Sequence, residues 1–378
     1  MRFNPVLNIM PDDKFIDAYI EMSERYIPNQ SSYIIFGNRE TPHFVKSKSA
    51  NILYLNKSKT SYDDLNIPFN KIETIIFHRF KKDHLNFIEK IPSEITKIWI
   101  VWGFEIYNIF PQSNLINLLS YVNQYQPYSL MKIKGYINHY RFKWLYHRKE
   151  TVQIIKKMDY CATWLPYDYS LAKSINPAIK RLYFRYLERE MIGLDKLDEK
   201  KPDLNRLLLG NSAAMTNNHL EALDYLKKIK YSGVIIYPLS YSNVNHYKES
   251  LIRKGKKLFG ERFQPLTEFL PLDKYHSIIN SCGIIWMNQR RQQAAGNLIV
   301  GFSTNKIITL NDENPLKQAF EDWGLQVFNP SILKKLNDFD FSRLAENKNI
   351  INKKLREVDN KPFFDFIGKK SASKFSKQ

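Results

Sequence analysis

Along this chain short apolar runs alternate with stretches whose apolar positions recur every three or four residues. Val6-Leu7-Asn8-Ile9-Met10 reads as a first strand and Lys14 to Tyr26 as an amphipathic helix. Ser32 to Phe36, Ile52 to Leu55, Ile72 to His78 and Ile98 to Trp102 read as further strands. Leu115 to Tyr125 is helical in pattern, and Asp159 to Trp164 and Arg181 to Phe184 are again strand-like. The segment Ile192 to Asn205 is charged, carries Pro202 and lacks a core pattern, so it reads as an interdomain linker. Beyond it the same grammar restarts, with strands expected at 206–210, 233–237, 264–269, 283–287 and 306–310.

Strands separated by helices imply parallel βαβ units. The expected fold is α/β, with two Rossmann-like domains facing each other across a cleft, the GT-B arrangement. Residues 1–195 form the N-terminal domain in this reading and 205–345 the C-terminal one. A helical segment follows over 346–370, and 371–378 reads as a disordered tail.

Two segments of the second half carry candidate chemistry. Leu207 to Leu223 runs from an apolar stretch through Gly210-Asn211-Ser212 into a helix that Asn217 or Asn218 is placed to cap. After the apolar run Cys282 to Met287 come Arg290, Arg291, Gln292 and Gln293, then Gly296-Asn297 and a helix-like stretch. Free N–H groups at a helix start favour phosphate, and ligands of open α/β sheets sit outside the carboxyl ends of strands. One such segment is an ordinary βα turn. Two in the same half point to a nucleotide diphosphate.

Charge narrows the partners. The net charge is +19 at pH 7, which implies an anionic partner: nucleic acid, anionic lipid or a phosphorylated substrate. The two cysteines, Cys161 and Cys282, form no disulfide framework or zinc spacing, which fits a reducing cytoplasm. The first residues, with Asp12 and Asp13 soon after a short apolar run, do not read as a signal peptide, and no apolar stretch reaches the roughly 20 residues a spanning helix needs. Tyr128 to Lys149 interleaves Lys132, Lys134, Arg141, Lys143, Arg148 and Lys149 with aromatic residues. That composition suits docking on an anionic membrane surface, RNA stacking, or a helix with an aromatic inner face.

Several segments together resemble one family, the TDP-4-acetamido-4,6-dideoxygalactose:lipid II transferases of enterobacterial common antigen synthesis. The resemblance rests on Phe77-His78, on Trp102-Gly103-Phe104-Glu105-Ile106-Tyr107, and on Gly210-Asn211-Ser212 with Asn218-His219. It continues in Arg291-Gln292-Gln293 with Gly296, and in Glu313-Asn314-Pro315. Glu105 stands where some members carry Asp, and Asn297 departs from a second small residue. The resemblance implies a GT-B glycosyltransferase with a TDP-sugar donor. It implies a polyprenyl-diphosphate-linked saccharide acceptor at the cytoplasmic face of the bacterial inner membrane, where the enzyme is peripheral.

Glycosyl transfer needs a base for the acceptor hydroxyl and groups that stabilise the departing diphosphate. Arg291 suits the second task, because its planar fork binds two phosphate oxygens at once. Gln292 and Gln293 are placed to bond diphosphate or sugar, with the backbone at Gly210-Asn211-Ser212 and Gly296-Asn297. Glu313 either accepts from a ribose hydroxyl or is a helix-start charge. Glu105 and His78 compete as the base, with Glu105 preferred, and Trp102 and Tyr107 are sugar walls or core aromatics. Asp338-Phe339-Asp340 fits a D-x-D pattern in a late charged loop, and no metal or other cofactor is expected. Two alternatives stand beside this reading: a GT-B transferase with a different nucleotide sugar or acceptor, and a basic nucleic-acid-binding protein.

Overall fold

The computed structural model describes residues 3–375 except 49–50, 58, 81–83, 108, 110–147, 187, 189–191, 195–200, 242–244, 337–338 and 358. The expected helix 115–125 and nearly all of the basic aromatic stretch 128–149 lie outside the described residues, as does Asp338. The chain divides into two compact units. One comprises Met1–Ile109, His147–Tyr186 and Asp359–Gln378, and the other is built on Leu187–Val358.

In the first unit, in chain order, come β1 (Val6–Pro11), α1 (Ile16–Tyr26), β2 (Ser31–Gly37), β3 (Ile52–Asn56) and β4 (Thr74–His78). Then follow α2 (Leu85–Glu89), β5 (Thr96–Ile100), α3 (Phe104–Tyr107), α4 (Arg148–Lys156), β6 (Tyr160–Ala162), α5 (Pro166–Ile175) and β7 (Lys180–Leu182). The strands make one parallel sheet in the order β3-β2-β1-β4-β5-β6-β7. β1, β2 and β4 are buried along nearly their whole length, as continuous apolar runs must be when both faces of a parallel sheet are covered. Helix α1 presents Ile16, Tyr19, Ile20 and Ser23 at i, i+3, i+4 and i+7 to that core.

The second unit holds β8 (Arg206–Leu209), α6 (His219–Lys228), β9 (Val234–Pro238), α7 (Asn245–Phe259), β10 (Phe263–Leu266) and α8 (Leu272–Ser281). β11 (Ile284–Met287), α9 (Ala295–Ser303), β12 (Ile307–Leu310), α10 (Pro315–Asp322) and α11 (Ser342–Arg356) complete it. Its parallel sheet runs β10-β9-β8-β11-β12. Leu207, Leu209, Ile235, Tyr237, Ile284, Trp286 and Ile307 make the buried cluster on one face of the sheet.

Helix α12 (Lys361–Phe375) joins the first unit rather than the second. Asn360 fixes its start: the side-chain Oδ1 accepts from Arg185 N at 3.1 Å and Nδ2 donates to Arg185 O at 2.9 Å. Phe364 then lies against Tyr26 and Tyr19 of α1, with ring centroids 5.2 and 5.7 Å apart. The helix runs through Ser371 to Phe375, where the sequence pattern suggested an unstructured tail.

In each sheet the strand order reverses at one point, between β1 and β4 and between β8 and β11. The loops leaving neighbouring strands part to opposite faces there and open a crevice at the carboxyl ends. These are two Rossmann-like domains of the GT-B fold. Among the described residues no helix is long and apolar enough to cross a membrane.

Candidate active site

The second unit's crevice is built by two loops fastened to each other. β8 ends at Leu209, and Gly210 turns the chain with φ +71°. A Cβ at Gly210 would lie 2.8 Å from His219 Nε2 and 2.9 Å from Asn217 Oδ1, so only glycine fits there. Asn218 takes the N-cap position of α6, but neither asparagine caps the helix with its side chain. Asn218 sits in the left-handed region at φ +48° with no side-chain capping bond. Asn217 instead staples its own loop, donating through Nδ2 to Ser212 O (3.2 Å), Ser212 Oγ (3.2 Å) and Ala214 O (3.0 Å). Its Oδ1 accepts from Asn211 N at 3.1 Å. A polar side chain wrapped around its own backbone competes with capping.

From the other side, Gln289 Nε2 donates to Asn217 Oδ1 at 2.6 Å and to Asn211 Oδ1 at 3.2 Å. Gln289 is fully buried, and its Oε1 has no hydrogen-bond partner. Gln293 Nε2 donates to Asn211 Oδ1 at 2.9 Å, while its Oε1 accepts from Thr216 Oγ1 at 2.8 Å and from Arg291 Nε at 3.1 Å. Gly210, Asn211, Ser212, Arg291 and Gln293 are thus brought together, with Gln292 half-buried on the same loop. Gln289 was missed by sequence reasoning; the signal was its place two residues after a buried strand.

Helix α9 opens directly behind this loop. Ala294 precedes it in the left-handed region at φ +62° and, as an alanine, brings no side-chain cap to the amides of the first turn. Beyond its chain neighbours and its own helix backbone, a Cβ at Gly296 would meet no atom of the described residues within 4 Å. Asn297 Nδ2 donates to Tyr275 Oη at 2.8 Å. An anion can approach this helix start closely, next to Arg291.

Arg290 has a different duty from its neighbour. Its guanidinium lies 2.9 Å from Glu221 Oε1 and 3.3 Å from Glu313 Oε1. Glu313, expected either at a ribose or at a helix start, precedes α10 and is tied to Arg290. The helix itself is capped by Asn314, whose side chain accepts from Leu316 N at 3.0 Å. His219 is buried without a partner on either ring nitrogen, and burial pulls its pKa down to about 3.

The first unit's crevice is a cavity of about 300 Å³ where β1, β2 and β4 end. Asp12, Asp13, Arg39, Lys57, His78 and Arg79 are among its lining residues. Asp12 accepts from the backbone N–H of His43 (2.6 Å), Phe44 (3.0 Å) and Val45 (3.1 Å), which fastens the loop after β2 to the end of β1. Asp13 is half-buried beside it, and burial raises its carboxyl pKa from the ordinary value. Neither aspartate was proposed as a site residue from sequence, because nothing local distinguishes them from helix-start charges.

His78 is completely buried at the end of β4. Asn8 Nδ2 donates to Ser32 O, so Asn8 Oδ1 faces His78 Nε2, 3.2 Å away. An amide oxygen only accepts, so Nε2 carries the proton and Nδ1 is the acceptor. Tyr186 Oη donates to Nδ1 and accepts from Trp102 Nε1 at 3.0 Å. Burial holds the imidazole pKa well below its ordinary value. A neutral ring with both nitrogens occupied anchors the chain Asn8–His78–Tyr186–Trp102.

Glu105 lies just past Gly103, whose φ of +89° turns the chain from β5 into α3. It is 6% exposed, and its Oε1 accepts from Trp99 Nε1 (2.9 Å) and Trp102 N (3.0 Å). Among the described residues its Oε2 has no hydrogen-bond partner, and burial raises the carboxyl pKa. Trp102 lies beyond β5, half-buried, edge-on to Phe15 and Tyr186. Tyr107 is a core aromatic rather than a sugar wall: it is buried and donates to Asp168 Oδ1 at 2.6 Å.

Comparison with known proteins bears on the family and the fold. Residues 131–361 match the family described as 4-alpha-L-fucosyltransferase, glycosyl transferase group 56. Among solved structures the chain is similar to the trehalose-6-phosphate phosphatase N-terminal domain of Candida albicans, with 10% identity, TM-score 0.62 and 97% of each chain covered. It is similar to an E. coli trehalose-6-phosphate structure bound with UDP-2-fluoro glucose, with 9% identity, TM-score 0.59 and 98% of each chain covered. A glycosyltransferase of Rickettsia africae matches at 12% identity and TM-score 0.56, over 97% of this chain and 99% of that one.

Proposed function

The chain belongs to the 4-alpha-L-fucosyltransferase family, glycosyl transferase group 56, and on that premise we propose that it moves a 4-acetamido-4,6-dideoxyhexose from a thymidine diphosphate sugar to a polyprenyl-diphosphate-linked saccharide. It is a glycosyltransferase of GT-B type that uses a nucleotide sugar. The observation that carries the donor assignment is the fastening of the 210–218 loop to Gln289 and Gln293 beside the uncapped start of α9. In the second unit the diphosphate lies against the first-turn amides of α9 and Arg291. In the first unit the acceptor hydroxyl is presented to a carboxylate: Glu105, whose Oε2 is buried as well as unpaired among the described residues, or Asp13 on the cavity lining.

In the reaction the acceptor oxygen attacks the anomeric carbon, and the bond from that carbon to the diphosphate oxygen breaks. The diphosphate leaves with the electron pair, and the hydroxyl proton passes to the base. Arg291 and the helix start stabilise the charge that develops on the leaving group. The proton needs a base whose pKa is pushed toward neutrality, and burial shifts both Glu105 and Asp13 in that direction. The enzyme works at the cytoplasmic face of the inner membrane, where the basic aromatic residues 128–149 meet anionic lipid, and it needs no metal.

The test is a panel of TDP-, UDP- and GDP-linked sugars offered with a short-chain polyprenyl-diphosphate saccharide, with and without chelator. Acceptor-dependent release of TDP that persists in chelator is expected. Turnover with UDP- or GDP-sugars alone overturns the donor assignment. The family description favours a second reading, transfer of fucose itself. Fucose differs from the acetamido sugar in bearing a hydroxyl at C4, so a fucosyl donor belongs in the panel.

A further inference from the structure

Beside the two fastened loops the second unit exposes an aromatic surface that no step above uses. Tyr241, after β9, and Phe269, after β10, meet edge-to-face with ring centroids 5.6 Å apart and planes at 79°. They are 39% and 64% exposed, and Phe269 is the most exposed large hydrophobic residue among the described residues. Leu272, at the start of α8, is 54% exposed. Exposed apolar groups of this size gathered at one end of a sheet mark a binding surface.

The surface is continuous with the candidate donor crevice at both ends. Ala213 N, in the loop after β8, donates to Tyr241 O at 2.9 Å. Tyr275, one turn along α8 from Leu272, accepts from Asn297 in the first turn of α9. Burial raises the Tyr275 phenol above its ordinary pKa, so it stays a neutral partner for Asn297. The segments that carry these rings are thus tied to the loop after β8 and to the first turn of α9.

We propose that Phe269 and Tyr241 form the stacking wall for the nucleobase of the donor. This rests on the reading of the second unit as the nucleotide-sugar domain. A nucleobase presents a flat π-face and few charges, and exposed aromatic rings are the side chains that recognise such a face without demanding a particular base. The rings hold the base by area, and the diphosphate is held separately at α9. Loss of one stacking ring weakens a nucleotide on the order of tenfold.

Calorimetric titration of the full chain with TDP, and with inorganic pyrophosphate as a probe that has no base, separates the two halves of the site. Phe269→Ala is expected to weaken TDP about tenfold and to leave pyrophosphate unchanged. Phe269→Leu, which keeps apolar area without a ring, should resemble the alanine variant, and Phe269→Trp should restore affinity. Equal loss of TDP and pyrophosphate, or no loss of either, overturns the proposal. An unchanged TDP affinity with lost sedimentation on anionic vesicles makes the surface a membrane contact and overturns it too. Preference for UDP over TDP, with the same dependence on Phe269, supports the wall and removes the thymidine assignment. A wild-type chain that binds no nucleoside diphosphate overturns both.

Discussion

Gln293 donates to Asn211 across a 2.9 Å hydrogen bond that spans 82 positions of sequence. Through it the loop after β11 sets the shape of the loop after β8, and Arg291 is held by the same glutamine at 3.1 Å. The cation proposed to meet the diphosphate is therefore oriented by a neutral side chain that is itself fixed by the opposite loop. Such positioning is worth most where charge develops during reaction.

Arg291→Ala removes that cation and leaves the Asn211–Gln293 bond in place. Turnover is expected to fall on the order of a hundredfold, with a melting temperature close to wild type. Steady-state kinetics beside a thermal melt checks this. Near wild-type kcat in a folded variant removes Arg291 from the donor site.

Gly296 has open space where a Cβ would stand. Gly296→Ala should then be stable, gaining up to about 1 kcal/mol of helix propensity. It should still lose nucleotide affinity, because the methyl group stands between the first turn of α9 and a phosphate. Chemical denaturation and nucleotide titration read the two effects separately. Unchanged affinity with raised stability means that no phosphate approaches there.

Asp168 gives a pH dependence of definite sign. Burial raises its pKa from 3.8 to about 7, with Tyr107 donating to its Oδ1. In that window the folded chain binds more protons than the unfolded one, so this group's contribution is fully present below 3.8 and is lost as pH rises through about 7. The cost is up to about 1.4 kcal/mol per pH unit. His78 and His219, held neutral, act in the opposite sense below 6.5, but they are common to wild type and variant. Urea unfolding of Asp168→Asn against wild type should show an advantage for the variant that grows from pH 5 to pH 8. A constant difference would show that Asp168 keeps an ordinary pKa.

Glu105→Gln retains an acceptor for Trp99 and Trp102, so the fold should hold, but it cannot take a proton at neutral pH. Transfer should be lost while donor binding persists. His78→Ala should instead lower stability, because it cuts the link between Asn8 and Tyr186 and opens a cavity beside Tyr19. If His78→Ala abolishes transfer in a folded protein and Glu105→Gln does not, the base lies on the histidine side. Asp12→Asn and Asp13→Asn, on the cavity lining, complete the comparison.

The strands were legible because burial on both faces writes itself as unbroken apolar runs, from Val6-Leu7 to Ile307-Ile308. The glycine at 210 was legible because a tight turn after a strand admits little else. Of the two asparagines placed to cap α6, Asn218 takes the N-cap position and Asn217 does not: its partners Ser212 and Gln289 are chosen by tertiary structure, and Gln289 stands 72 positions away. Tyr186, 108 positions from His78, could not be linked to it from sequence for the same reason. Local pattern reports how deeply a side chain sits, not which polar atom it will meet.

Asn360 and α12 have a consequence for synthesis. The first unit takes its strands from the beginning of the chain, yet Phe364 covers α1 and Asn360 closes on Arg185 only once the last stretch has emerged. On a ribosome, the second unit has all of Leu187–Val358 available before the first can be sealed. The part made first is therefore the part finished last, and a nascent chain stalled before Asn360 would leave bare the side of Tyr19 and Tyr26 that Phe364 covers.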